Sequence, residues 1–311
     1  MNPSFPDVRV GKPVHCDGLS LFPLFTERLS LFDEAPNYIL AHEAMAAESC
    51  IVQEVSEAGS VGKLLVNNGG DLPVLFLEGA ELRGAKQNRA INMTVMVAAG
   101  SQTSIPVCCV QRKRWSESCG RVHSGSHSPP SLRHLFKKAW VPGRRRLGGS
   151  QPAVWAEIRR KHASLNVSSH TEDMSEALES RREQLEQLQG RFGYPANANG
   201  IALVLGDHLI CIDLLDKPST LEKVWDRLQQ GILLDLLEMR RAGQEATQAD
   251  ILTVLDRMRR LRWQEVEPVG LGEQYRARNN GLLGAALCLG GVSIHISASV
   301  SRVQSDDDKF G

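Results

Sequence analysis

The sequence predicts an α+β protein, a mostly antiparallel β-sheet core, sandwich or barrel-like, with several α-helices packed against it. Two observations predict this. Up to Val110 short apolar runs alternate with turn residues roughly every eight to twelve positions, the rhythm of an antiparallel sheet. Within 151–261 apolar residues recur mostly at helical spacing, and alternating runs return after Trp263. The terminal strand groups then join into one domain over 1–311, with a helical layer at 151–261.

Taken in order, residues 13–26 form a hairpin or edge strand broken at Asp17-Gly18, and 38–47 suit a short helix. Strands follow at Cys50 to Val55, Leu64 to Asn67, Val74 to Leu77, Ile91 to Val97 and from Ser101 to Val110. Asn68-Gly69-Gly70-Asp71 and Ala99-Gly100-Ser101 supply turns. Residues 116–131, rich in serine, glycine, histidine and proline, read as a mobile loop. Helices are expected from Gln151, over 171–190, over 218–241 and over 248–261. A hairpin at 197–215 interrupts them. The last strands are Trp263 to Val269, Gln274 to Arg278 and Ala285 to Ser299, folded at Gly290-Gly291, before a disordered tail at 305–311.

The 36 basic and 36 acidic side chains cancel, which argues against nucleic acid as a partner, although 112–161 is locally basic. No apolar run reaches the roughly 20 residues that span a bilayer, so no membrane is expected. The N-terminus shows no basic-then-apolar leader, and the seven cysteines show no paired spacing. A cytoplasmic protein with reduced thiols is the reading. Cys119, His123 and His127 lack a second thiolate, and no metal is assigned. No phosphate loop, nucleophile elbow or dinucleotide fingerprint is present, so the cofactor stays unknown. His295, in an alternating strand, reads as a half-buried, satisfied histidine.

The chemistry concentrates in the segment LEGAELRGAKQNR, residues 77–89. Charged and amide side chains packed between two apolar runs need water, each other or a ligand. Lys86 and Arg89 suit an anionic group, and Glu81 suits a base or a hydroxyl partner. Glu81 and Lys86 are therefore the candidate catalytic residues, with Gln87, Asn88, Arg89 and Trp115 as candidate ligand contacts. The competing reading is an internal ion-pair network that ties loops together.

The run LEGAELRGAKQNR, then an alternating strand, AAGSQTSIPV, a cysteine and a closing RW, resembles the bacterial ADP-ribosylglycohydrolase and rhodanese-phosphatase-associated protein domain family. GLSLFPL, EVSEAGSVGKLLVNN and a C-terminal IHISA also fit. One departure is that Gln111 and Lys113 stand where the family pattern carries an acidic residue and a glycine. The resemblance implies a small anionic, nucleotide-derived ligand such as an ADP-ribose derivative. Whether the protein is an enzyme is left open. The alternative is a non-enzymatic scaffold or sensor whose polar cluster is structural and which acts through a protein partner or a homo-oligomer.

Overall fold

The structure is a computed structural model that describes residues 2–26, 36–116, 121–141, 151–206, 209–238 and 245–301. It opens with β1 (Val8–Val10), β2 (Val14–Cys16), β3 (Leu19–Thr26) and β4 (Ile39–Leu40), followed by α1 (Ala41–Ala46). Next come β5 (Cys50–Glu54), β6 (Lys63–Asn68), β7 (Val74–Phe76), β8 (Ala80–Arg83), β9 (Arg89–Ile91) and β10 (Val95–Val97). Then β11 (Ser101–Cys109) and β12 (His123–His127) lead into α2 (Pro130–Lys138), α3 (Gln151–Ser164), α4 (Met174–Ser180) and α5 (Arg182–Gln189). The hairpin β13 (Gly200–Leu205) and β14 (Leu209–Leu215) precedes α6 (Pro218–Leu237) and α7 (Gln248–Arg259). The last strands are β15 (Gln264–Val266), β16 (Glu273–Asn279), β17 (Leu282–Leu289) and β18 (Val292–Ser301).

These strands make an α+β fold of three sheets. The largest runs β1-β3-β13-β14-β18-β17-β16-β15, with β2 also on β3, and joins both ends of the chain. A six-stranded sheet runs β12-β8-β9-β11-β6-β5, and a small one runs β10-β7-β4. All pairs are antiparallel except β4 with β7.

The two faces of the large sheet differ. Ile212, Leu214, Ile296, Ala298 and Val300 alternate on one face and pack with Ile251, Val254, Leu255 and Met258 of α7. Each of the valine, leucine, isoleucine and methionine side chains stabilises by about 1.5–3 kcal/mol when fully buried. Residues of the other parity, Asp213, His295, Ser297 and Ser299, point to the opposite face, where Arg133 of α2 bonds Asp213 and His134 bonds Ser299. A polar layer is thereby built into the interior. α6 starts with Pro218 in its first turn and buries Leu221, Val224, Trp225, Leu228 and Ile232 against the main cluster.

Several expectations are corrected. The stretch expected as a loop at 116–131 contains β12, paired with β8, and the first residues of α2. Ladder hydrogen bonds rather than apolar alternation make that strand, so its serines and histidines gave no signal. The single strand expected from Ile91 to Val97 is two, β9 and β10, in different sheets. The helix expected over 171–190 divides at Arg181, which leaves the helical region between α4 and α5. The central polar segment, expected as a connection, contains β8. The 305–311 tail and Arg144 to Arg146 lie outside the described residues. No helix among the described residues is long and apolar enough to cross a membrane.

Candidate functional site

The block 81–89 folds as a tight unit because its polar groups bond one another and the segment around Gln111. Gly79 and Gly84 turn the chain with positive φ on either side of β8. Gln87 Oε1 accepts from Arg89 Nη1 at 3.0 Å and from the Cys109 thiol, and its Nε2 donates to the Arg112 carbonyl. Asn88 donates to Asp173 at 2.8 Å and accepts from the Gly84 amide and from Arg114. Arg89, 0% exposed, donates to the Ser60 carbonyl, stands 3.7 Å from Glu54 and lies 5.6 Å from the half-exposed Trp115 ring. Burial pushes the Cys109 thiol up despite the Arg89 charge beside it. Gln87, Asn88 and Arg89 thus come together, and each is buried.

The two candidate catalytic residues do not meet. Glu81 is buried at the β12 side, where Oε2 accepts from Arg83 Nε, from the Ser126 amide and from the Ser126 hydroxyl at 2.8 Å. Its Oε1 has no hydrogen-bond partner among the described residues. Close approach here requires Gly125, since a Cβ on it would lie 2.6 Å from Glu81 Oε2. Asp173 caps α4 by accepting from Ser175; burial, then the Glu81 charge, pushes its pKa up to about 6. Lys86 lies elsewhere: its amide donates to Glu54, and its side chain runs along Gly59.

Sequence reading missed the polar layer beside this block. Asp213 receives both guanidinium ends of Arg133, at 2.8 and 2.5 Å, and a 3.0 Å contact from His295 Nε2. His295 Nδ1 lies 2.7 Å from the Thr94 hydroxyl, which also accepts from the Glu78 amide. Glu78 pairs with Lys137 and lies 3.4 Å from Arg133 and 3.8 Å from Arg276. Burial opposes ionisation of Glu78, yet Lys137, Arg133 and Arg276 hold its carboxyl below the usual range. Thr94, His295 and Asp213 stand in the order hydroxyl, imidazole, carboxylate, which is the order that activates a nucleophile. The adjoining cavity of about 10 Å³ holds one water-sized solute and excludes an acyl or phosphoryl substrate as the fold stands. Contacts separated by 80 to 201 residues leave no local pattern, so the detectable signal was only the polar parity of β14 and β18.

Two open grooves flank β12. One, of about 580 Å³, runs between β5 and the start of β12 over α1, with His42, Glu54, Ala85 and Arg121 among its walls. The other, of about 680 Å³, lies over the Glu81 pocket and is walled by Arg83, Gly125, Ser126, Arg182, Lys223 and Arg227 together with Glu179, Glu186 and Asp226. Arg227 and Ser124 border both. Arg83 pairs with Glu81 and Glu179, and Lys223 with Glu43. Neither Arg182 nor Arg227 has an ion pair among the described residues. Burial, then Arg227, lowers His42 to about 4, so this imidazole is neutral at pH 7. Gln87, Asn88, Arg89 and Trp115 line neither groove.

Part of the basic stretch 112–161 is spent inside the molecule, and the rest of its described basic residues stay at least partly exposed. Arg133, Lys137 and Lys161 are buried, the last with Asp235 and Glu238 of the α6 region, and Arg112 and Lys113 pair with Glu172. No group of three or more His, Cys, Asp or Glu side chains is placed to hold a metal among the described residues.

Fold and site together define an α+β protein of curled antiparallel sheets, with an ionic layer inside and a polar groove above its most charged segment. The family description that matches is the ARPP-1 domain, the ARG and Rhodanese-Phosphatase-superfamily-associated Protein domain, over residues 7–299, and the chain belongs to this family. No curated protein and no solved structure matches it.

Proposed function

We propose that the protein binds a small anionic ligand, of nucleotide or ADP-ribose size, in the groove over Glu81. The observation that carries this is Arg227, a half-buried guanidinium at the junction of two grooves with no carboxylate partner among the described residues. A free guanidinium in a concave, polar cleft suits a bidentate phosphate or carboxylate. The volume of about 680 Å³ falls in the range of small-molecule sites. In this reading Arg227 and Arg182 take the anion, while Ser124, Ser126 and Gln230 meet hydroxyls. Glu81 is a positioning residue that fixes Arg83 and Ser126. Gln87, Asn88 and Arg89 frame the groove from beneath instead of touching the ligand, and Lys86 takes no part. The association of the family with a phosphatase superfamily, carried in its name, fits a phosphorylated ligand.

The same reading treats the chain as one domain acting in the cytoplasm, where the six described cysteines, all free, would stay reduced. The alternative, a scaffold or sensor acting through a protein partner, draws on the internal pairing of Gln87, Asn88 and Arg89.

Thermal unfolding against ADP-ribose, nicotinamide nucleotides, nucleoside phosphates and inorganic pyrophosphate tests the proposal. A ligand that binds only the native state raises the midpoint, and the rise should vanish in Arg227→Ala, a variant expected to keep its own midpoint. If none of these compounds moves the wild-type midpoint, the ligand reading fails and the scaffold reading takes its place.

A further inference from the structure

Arg276 lies in β16 at 2% exposure with little to bond it. Its Nη2 reaches the Asn92 carbonyl at 3.5 Å, and Glu78 Oε2 stands 3.8 Å from Nη1, which has no hydrogen-bond partner among the described residues. The guanidinium lines the cavity of about 10 Å³, together with Thr94, Gln274, His295 and Ser297. Ser297, 1% exposed, brings a hydroxyl to the same wall. Two donors therefore face one small void. The Gln274 amide, in contrast, is engaged with the Thr94 and Val269 carbonyls.

Charge points the same way. The layer around the cavity carries three basic groups, Arg133, Lys137 and Arg276, against two carboxylates, Glu78 and Asp213, all at 4% exposure or less. Arg133 is tied bidentately to Asp213, and Lys137 to Glu78. Arg276 has only the second oxygen of that same Glu78, 3.8 Å away and itself without a hydrogen bond, so the layer holds one more basic group than carboxylates, and an uncompensated buried charge is strongly disfavoured. Glu78 does not line the cavity, so a solute there meets the guanidinium without a carboxylate in the wall.

We propose that this cavity is an anion site holding one monatomic ion, chloride in solution, against Arg276 Nη1 and the Ser297 hydroxyl. Its size admits a single atom and excludes phosphate or sulfate. The ion supplies the missing negative charge between β16, β18 and the segment around Thr94, and it is independent of any ligand in the groove over Glu81.

The test uses the full chain. Crystals soaked in sodium bromide should show an anomalous peak inside the cavity at hydrogen-bond distance from Arg276 and Ser297. In solution at fixed ionic strength, replacing gluconate by chloride should raise the unfolding midpoint by about 2 °C or more. Arg276→Met should remove that dependence, and Ser297→Ala should reduce it; if Arg276→Met does not fold, the wild-type bromide map and Ser297→Ala decide. An ordered water without anomalous signal in the cavity, or bromide peaks confined to the protein surface, would overturn the proposal. So would a midpoint indifferent to halide.

Discussion

Asp213 accepts from two nitrogens of Arg133 and lies 3.0 Å from His295, so its removal strips a buried guanidinium of its partner. Asp213→Ala should cost about 3–5 kcal/mol in urea unfolding, the range for breaking a buried pair. Replacing both partners with apolar residues, Arg133→Met with Asp213→Leu, should recover much of that loss, because no charge is then left unpaired. Asp173 gives a pH effect of the opposite sign to ordinary acid denaturation. Its folded pKa of about 6 lies above the 3.8 of a free aspartate, so the folded state binds the extra proton. Its contribution is fully present below pH 4 and is lost as pH rises through 6. Asp173→Asn should flatten the fall in stability between these values, as read from unfolding at a series of pH values. At this scale the sequence was partly legible. The density of charge in 77–89 marked Gln87, Asn88 and Arg89, which the fold brings together, but also Glu81 and Lys86, which it keeps apart. His295, read as half-buried and satisfied, has both ring nitrogens engaged but is fully buried. Thr94, Asp213 and Arg276 were invisible because each is ordinary in its own neighbourhood and acquires a partner only through long-range contacts.

Elements were legible where the signal is local. Thr247 caps α7 in a reciprocal box with Asp250, and the helix appears within the expected range. Thr247→Ala should lower stability by about 1 kcal/mol in denaturant unfolding. β12 was not legible, since it is held by pairing to β8 and by the fit of Gly125 over Glu81. A Cβ at that position would meet Glu81 Oε2 at 2.6 Å and Arg83 Nε at 2.8 Å. Gly125→Ala should therefore shift the β12 edge, lower the midpoint and weaken any ligand response of the groove. The divided helix at Arg181 and the divided strand at Asn92 to Thr94 have a shared cause. Apolar spacing continues through both breaks, but the chain changes partners there.

The α+β class followed from two periodicities alone, whereas the sheet orders did not, because pairing such as β3 with β13 and β14 with β18 spans the chain. The main apolar cluster takes residues from the large sheet, the small sheet, the six-stranded sheet and α2 to α6, among them Leu203, Leu75, Cys108 and Leu228. A core shared in this way should unfold as one unit. Tryptophan fluorescence and far-ultraviolet circular dichroism should then report the same midpoint, and two separated transitions would count against a single domain. The arginines that meet the ligand can be identified by nuclear magnetic resonance. In isotope-labelled protein titrated with pyrophosphate, the guanidinium Nε–H resonances of Arg227 and Arg182 should shift and saturate together while that of Arg89 stays fixed. A response led by Arg89, or none at Arg227, would contradict the account.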